Sequence, residues 1–131
     1  MFSGEHWLSM KSFTDLRVWH HAMELLSEVH DITKIFPEHE RYGLTKQLRR
    51  STQSIVGNIG EGFGRFSFAD KANKYVIARG ECSETRAHLL VAIRIEYVTE
   101  ERAARALELT TTVGKMLSGL ISSCHRRARI L

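Results

Sequence analysis

A single proline, Pro37, interrupts 131 residues. Proline locks φ and removes a backbone donor, so it is the strongest local stop for a helix. Its near absence leaves long stretches free to stay helical. It also argues against many short strands, which need closely spaced turn residues. Apolar side chains recur through these stretches at three- and four-residue steps, the signature of amphipathic helices. Hydrophobic residues make up 43% of the chain and charged ones 26%. A chain of this length can bury roughly two-thirds of its unfolded surface, enough for one core without disulfides or a metal.

Four helices follow from the pattern. The first begins near Thr14-Asp15, either of which can cap it. Leu16, Trp19, Met23, Leu26, Val29 (or His30) and Phe36 mark its stripe, broadened by Leu25 and Ile32. It ends before Phe36-Pro37, because the residue preceding proline avoids the α region. The second runs from about Leu44 to Gly62, with Leu44, Leu48, Ile55, Ile59 and Phe63 as its apolar set. Gly57 and Gly60 inside it each cost about 1 kcal/mol relative to alanine, which predicts a neighbouring backbone close by. The third starts after Ser67, a cap with Asp70 in the first turn. It runs to about Val98, roughly 45 Å at 1.5 Å per residue. Phe68, Ala72, Tyr75, Val76, Ala87, Leu90, Ile93 and Tyr97 form one stripe on it, and Ala78, Cys82, Leu89 and Ala92 a second. The fourth starts at Thr99 and carries Ala103, Ala106, Thr110, Val113, Leu117, Leu120 and Cys124, flanked by Leu107, Met116 and Ile121.

Four helices with short connections predict an all-α, antiparallel up-and-down four-helix bundle. Its domain spans residues 13–124, between an N-terminal extension (1–12) and a basic C-terminal end (125–131). The two apolar stripes on the third helix predict contacts beyond its own bundle, hence self-association.

Charge is unevenly placed. Residues 1–40 hold three Lys/Arg against seven Asp/Glu, whereas residues 41–94 hold ten against four. A basic middle can face phosphates, or it can meet the acidic first segment. The candidate nucleic-acid contacts are Arg49, Lys71, Lys74, Arg79, Arg126, Arg127 and Arg129. The terminal arginines also suit a helix C-terminus, where cations oppose the macrodipole.

Catalytic signals are missing. A di-metal bundle site needs Glu-x-x-His on two helices, and no glutamate here has a histidine three residues later. His20 with Glu24 and Glu84 with His88 are ordinary i,i+4 neighbours. The glycines at 57, 60, 62 and 64 follow no strand and match no phosphate-loop pattern. No nucleophile, base and orienting group can be assembled. The expectation is therefore a non-enzyme with no metal, cofactor or small-molecule substrate. No apolar run approaches the ~20 residues of a membrane span. The opening MFSGEHWLSM lacks the marks of a secretory signal. Cys82 and Cys124 form no paired motif, and a reducing cytoplasm is expected.

One polar stripe stands out. Arg50, Ser54, Asn58 and Glu61 share a face of the second helix, and Glu84 on the third is a natural bidentate partner for Arg50.

These residues carry a resemblance. Phe13-Thr-Asp-Leu-Arg-Val-Trp19, Phe36-Pro-Glu-His-Glu-Arg-Tyr-Gly-Leu44, Gln47-Leu-Arg-Arg-Ser-Thr-Gln-Ser-Ile55 and Asn58-Ile-Gly-Glu-Gly-Phe-Gly-Arg65 occur in order, followed by Ala78, Gly80 and Glu84. In that order and spacing, the chain from Phe13 to about Ile121 resembles the 23S rRNA intervening-sequence protein family, also called the ribosomal protein S23 family. The resemblance implies an antiparallel four-helix bundle assembled as a ring of five. Related bundles serving retroelements bind nucleic acid through a basic ring surface, so RNA or DNA binding is one expectation here. A protein-interaction scaffold without nucleic acid is the alternative. No enzymatic activity is implied. The family's motif residues fall on Arg50, Ser54, Asn58, Glu61 and Glu84. The chain departs from the pattern at Glu81, usually serine, and at Cys82, often leucine. Glu81 adds negative charge to a surface considered for phosphate. Residues 1–9 lie outside the match, so Met10 is one possible start, and Trp7 and Leu8 packing as an extension is the other.

Overall fold

The computed structural model describes residues 10–130; Trp7, Leu8 and the rest of residues 1–9, with Leu131, lie outside it. The described residues form four α-helices and no strand: α1 (Arg17–Thr33), α2 (Leu44–Gly64), α3 (Phe68–Arg94) and α4 (Glu100–Ile130). Packing is cyclic. α1 lies against α2 and α4, and α3 lies against α2 and α4. Partner numbers fall on one helix as they rise on the next. Arg50 meets Glu84 and Lys74 meets Glu61 across α2–α3. Arg105 meets Glu24 and Arg102 meets Glu28 across α1–α4.

The chain enters α1 through a 3₁₀ turn, Phe13–Asp15, capped by Ser12 rather than by Thr14 or Asp15. Ser12 Oγ accepts from Thr14 N at 3.2 Å, and the Asp15 carboxylate accepts from Ser12 N at 3.2 Å. The buried line of α1 is Val18, Ala22, Leu25, Val29 and Ile32. Of the predicted set, Leu16, Leu25, Val29, Ile32 and Phe36 are buried, whereas Val18 and Ala22 take the inward positions beside Trp19 and Met23, so that Trp19, Met23 and Leu26 sit half-buried at the edge. The broad apolar surface of this helix admits either rotation, and packing against two neighbours selects one.

In α2, Leu48, Ile55 and Ile59 are fully buried, while Leu44 and Phe63 are half-buried at the ends. The close approach predicted at Gly57 and Gly60 occurs instead at Gly62. A Cβ at Gly57 would meet nothing within 4 Å, and at Gly60 only the Phe13 ring at 3.9 Å. At Gly62 it would lie 2.7 Å from Tyr75 Cε1. The intruder is a buried ring, not a backbone.

α3 begins as expected, with Ser67 Oγ accepting from Asp70 N at 3.1 Å. It stops at Arg94, short of the predicted Val98. Tyr97 N donates to Ala92 O and Glu96 N to Ile93 O, with Glu96 left-handed at φ 65°. This is a Schellman stop built without glycine, which is why no stop signal marks it in the sequence. Tyr97 therefore leaves the helix. Its hydroxyl donates to Glu40 Oε2 at 2.8 Å, and its ring packs 5.4 Å from that of Phe36. Glu40 Oε1 in turn accepts from Leu44 N at 3.0 Å, opening α2.

The α4 stripe from Ala103 through Cys124 is buried as the spacing predicts. Thr99 Oγ1 caps it by accepting from Arg102 N at 3.1 Å. The helix continues through residues 125–130, so the basic end is its last turns.

Candidate functional site

Three surfaces carry the residues of interest. The first is the seam between α2 and α3. Arg50 Nη1 donates to Glu81 Oε2 at 3.2 Å, Nη2 donates to Glu84 Oε2, and Nε lies 3.3 Å from Gln47 Oε1. His88 Nε2 is 3.8 Å from Glu84 Oε2. One guanidinium thus holds two carboxylates one helical turn apart. Glu81, the departure from the family pattern, is engaged by Arg50 rather than facing solvent unpaired. Beneath this cluster the buried hydroxyls of Ser51 and Thr85 lie 2.7 Å apart, each also within reach of a carbonyl of its own helix. Farther along, Asn58 Nδ2 donates to Ser54 O at 2.8 Å and Ser54 Oγ at 3.1 Å. Glu61 accepts from Lys74 at 3.1 Å. The motif residues therefore divide: Arg50, Glu84 and Glu61 bridge helices, while Ser54 and Asn58 bond to each other along α2. A seam of paired charges and satisfied hydroxyls is an adhesive between helices. It offers no free base beside a nucleophile.

The second surface concerns cations. The two glutamates of α1 pair with α4: Arg105 Nε and Nη2 donate to Glu24 Oε2 at 2.9 and 2.6 Å, and Arg102 Nη1 to Glu28 Oε2 at 3.1 Å. The basic middle segment instead draws on its own glutamates at 61, 81 and 84. Five of the seven nucleic-acid candidates have partners within the protein. Arg49 Nε donates to Thr33 Oγ1 at 2.9 Å, Lys71 Nζ to Phe63 O, and Arg79 Nη1 to Ser118 Oγ at 3.3 Å. Lys74 holds Glu61, and Arg127 lies over the Phe68 ring at 5.6 Å. Burial lowers the Lys71 pKa. Arg126 and Arg129 are exposed and have no ion-pair partner among the described residues. The seven do not form one patch. Arg49 sits near the start of α2, about 20 Å along that helix from the end where Lys71 and Lys74 lie.

Sequence reasoning missed Arg17, His21 and Lys115. With Arg126 they line a cavity of about 520 Å³ between the start of α1 and the second half of α4. No linear signal joins residues about a hundred positions apart.

The third surface is the outer side of α3. Its buried side runs Ala72, Tyr75, Ala78, Cys82, Thr85, Leu89 and Ala92. That line takes members from both predicted stripes. Opposite it, Val76, Ile77, Leu90 and Val91 are between 40% and 47% exposed, with exposed Gly80 and Ala87 between them. The two apolar pairs span about four turns of helix, and Glu84, seven residues from both Ile77 and Val91, lies on the same side, turned to Arg50.

Neither cysteine is poised to react. Both are buried, and burial pushes the Cys82 thiol up to about 11 and raises Cys124. Among the described residues no group of three or more His, Cys, Asp or Glu is placed to hold a metal. No helix of the described residues is long and apolar enough to cross a membrane.

A crystal structure of a protein of unknown function from the S23 ribosomal protein family of Bacteroides thetaiotaomicron is similar to this chain. It aligns with a TM-score of 0.74 at 32% identity, over 79% of this chain and 97% of that one. No curated protein matches. The sequence profile of the 23S rRNA-intervening sequence proteins matches residues 14–119. With that match spanning most of the helical core, the chain belongs to the 23S rRNA-intervening sequence protein family.

Proposed function

We propose that this protein is a non-catalytic, self-associating antiparallel four-helix bundle acting in the cytoplasm as a homo-oligomeric ring, with five copies the number its family resemblance implies. The observation that carries the reading is the set of exposed apolar side chains on the outer side of α3. Val76, Ile77, Leu90 and Val91 are each 40–47% exposed, and apolar side chains gathered on one side of a helix mark an interaction site. Gly80 and Ala87 between them keep the stripe low, so a second helix can approach closely. The descending contact pairs along α2–α3 and α1–α4 support the antiparallel course.

Light scattering coupled to size exclusion tests this. The wild type runs as a multiple of the 15.0 kDa protomer, and Leu90→Asp with Ala87→Glu reduces that mass while helicity is retained. A wild-type species of protomer mass at micromolar concentration overturns the reading.

Binding of RNA or DNA through a basic surface is the second reading, favoured by the exposed Arg126 and Arg129, which have no ion-pair partner among the described residues, and by Arg17 and Lys115, which line one cavity with Arg126. Such binding weakens steeply with salt, because cations displace condensed counterions, and shows little sequence preference. A gel-shift series on structured RNA, single strands and duplex DNA checks it. No shift at low salt leaves the protein-interaction scaffold as the function.

A further inference from the structure

We infer that the cavity between α1 and α4 is a binding site for a small amphipathic anion, an aliphatic chain ending in a carboxylate. Its volume of about 520 Å³ falls within the range of small-molecule pockets. Leu16, Val18, Met116 and Leu120 supply apolar wall. Arg17, Lys115 and Arg126 supply cationic groups and His21 a polar ring, and among the described residues no aspartate or glutamate lines the space.

The charge imbalance is local and specific. Farther along the same helix pair, Arg102 and Arg105 are matched by Glu28 and Glu24. At the cavity, Arg17, Lys115 and Arg126 have no ion-pair partner among the described residues. His21 Nδ1 donates to Arg17 O at 2.9 Å, which leaves Nε2 as its free ring nitrogen. Gathered like charges repel, and an anion relieves that repulsion while forming charge-assisted hydrogen bonds. The start of α1, which has no side-chain cap, adds partial positive charge of the same sign.

The apolar wall decides the ligand class. A free inorganic anion gains nothing from Met116 and Leu120. A single-stranded nucleic acid needs aromatic faces for its bases, and among the described residues no aromatic ring other than that of His21 lines the cavity. An alkyl carboxylate uses both halves. The site also lies away from the outer stripe of α3, because α3 packs on α2 and α4 and not on α1. The side chains of the site are therefore not in contact with those of the outer stripe.

Calorimetric titration of the full chain with decanoate, decanol and acetate tests the assignment. Decanoate binds saturably at one per protomer. Decanol, with the same tail and no charge, binds at least about tenfold more weakly, the size of one lost charged hydrogen bond. Acetate shows no saturable heat. Arg17→Ala with Arg126→Ala weakens decanoate by a similar factor. Gly119 lines the cavity and has open space at its Cβ, so Gly119→Leu fills the site without touching a charge. That variant keeps its circular dichroism and loses binding, whereas Leu90→Asp on α3 binds decanoate normally. The assignment is overturned by absent saturable binding, by decanol binding as tightly as decanoate, by a folded Gly119→Leu that still binds, or by loss of binding in Leu90→Asp.

Discussion

Replacing Gly62 and Gly57 by alanine, one at a time, sets helix propensity against packing within a single helix. Alanine is favoured over glycine in a helix interior by about 1 kcal/mol. At Gly57 the new methyl meets nothing within 4 Å, so that gain is realised and Gly57→Ala is more stable by about 1 kcal/mol. At Gly62 the same methyl lies 2.7 Å from Tyr75 Cε1, 3.0 Å from Cδ1 and 3.2 Å from Lys74 Cβ. Tyr75 is fully buried on the facing helix, so its ring has no free space to swing into. Relief requires moving α2 away from α3, and overpacking of this kind costs about 1–3 kcal/mol. Net of propensity, Gly62→Ala loses about 1 kcal/mol, and the two variants differ by about 2 kcal/mol. Urea unfolding followed by circular dichroism reads this directly. All samples are held at one protomer concentration, because self-association links stability to concentration. In a thermal melt each kcal/mol moves the midpoint by about 4 °C for a chain of this size. Equal stabilisation of both variants would refute the reasoning, since it would mean the α2–α3 contact yields freely at Tyr75. Destabilisation by Gly57→Ala would refute it at the other end, by revealing an unseen neighbour there.

Four further outcomes follow from the geometry. Glu96→Gly stabilises by about 1 kcal/mol, because a left-handed residue without a Cβ carries no steric penalty; an unchanged urea midpoint contradicts this. A double-mutant cycle of Arg50→Ala and Glu84→Ala gives a coupling of about 0.5–1 kcal/mol, suited to a half-exposed pair and reduced by salt; additive losses remove the pairing. Glu40 is held below the usual carboxylate range, chiefly by the Leu44 N–H and then by the Tyr97 hydroxyl. Its contribution to stability is thus present above its unfolded pKa and lost as pH falls through the lower folded value. Tyr97→Phe moves that folded value upward in a carboxyl NMR titration, and no movement excludes the bond. Finally, Cys82 and Cys124 resist alkylation at pH about 8 until denaturant is added, because burial disfavours both thiolates; rapid labelling of the native protein contradicts their burial.

The helical class, the four segments and the buried line of α4 were legible in the chain. They depend on local periodicity and on one proline, and α4 has a single clean stripe from Ala103 to Cys124. The Ser67 cap was legible for the same reason, since a cap and its helix are neighbours in sequence. Errors arose where two local solutions were nearly equal. The apolar surface of α1 is broad enough to be rotated by one residue, and α3 is apolar on both sides, so only its neighbours sort Tyr75 inward and Val76 outward. The stop at Arg94 escaped because a glutamate occupies the left-handed position that glycine ordinarily signals.

The candidate sites divide in the same way. The Arg50–Glu84 pairing could be suggested from sequence, because α2 and α3 are joined by a short connection and their facing residues count in opposite directions from it. Which cations stay unpaired could not. That depends on which carboxylates arrive from other helices: Glu24 and Glu28 reach Arg105 and Arg102, and among the described residues none reaches Arg17, Lys115 or Arg126. Sequence fixes the periodicity of each helix, because backbone and side chain interact over a turn or two. The cavity, the outward stripe of α3 and the close approach at Gly62 belong to the tertiary structure, because each exists only between helices brought together by burial of their shared core.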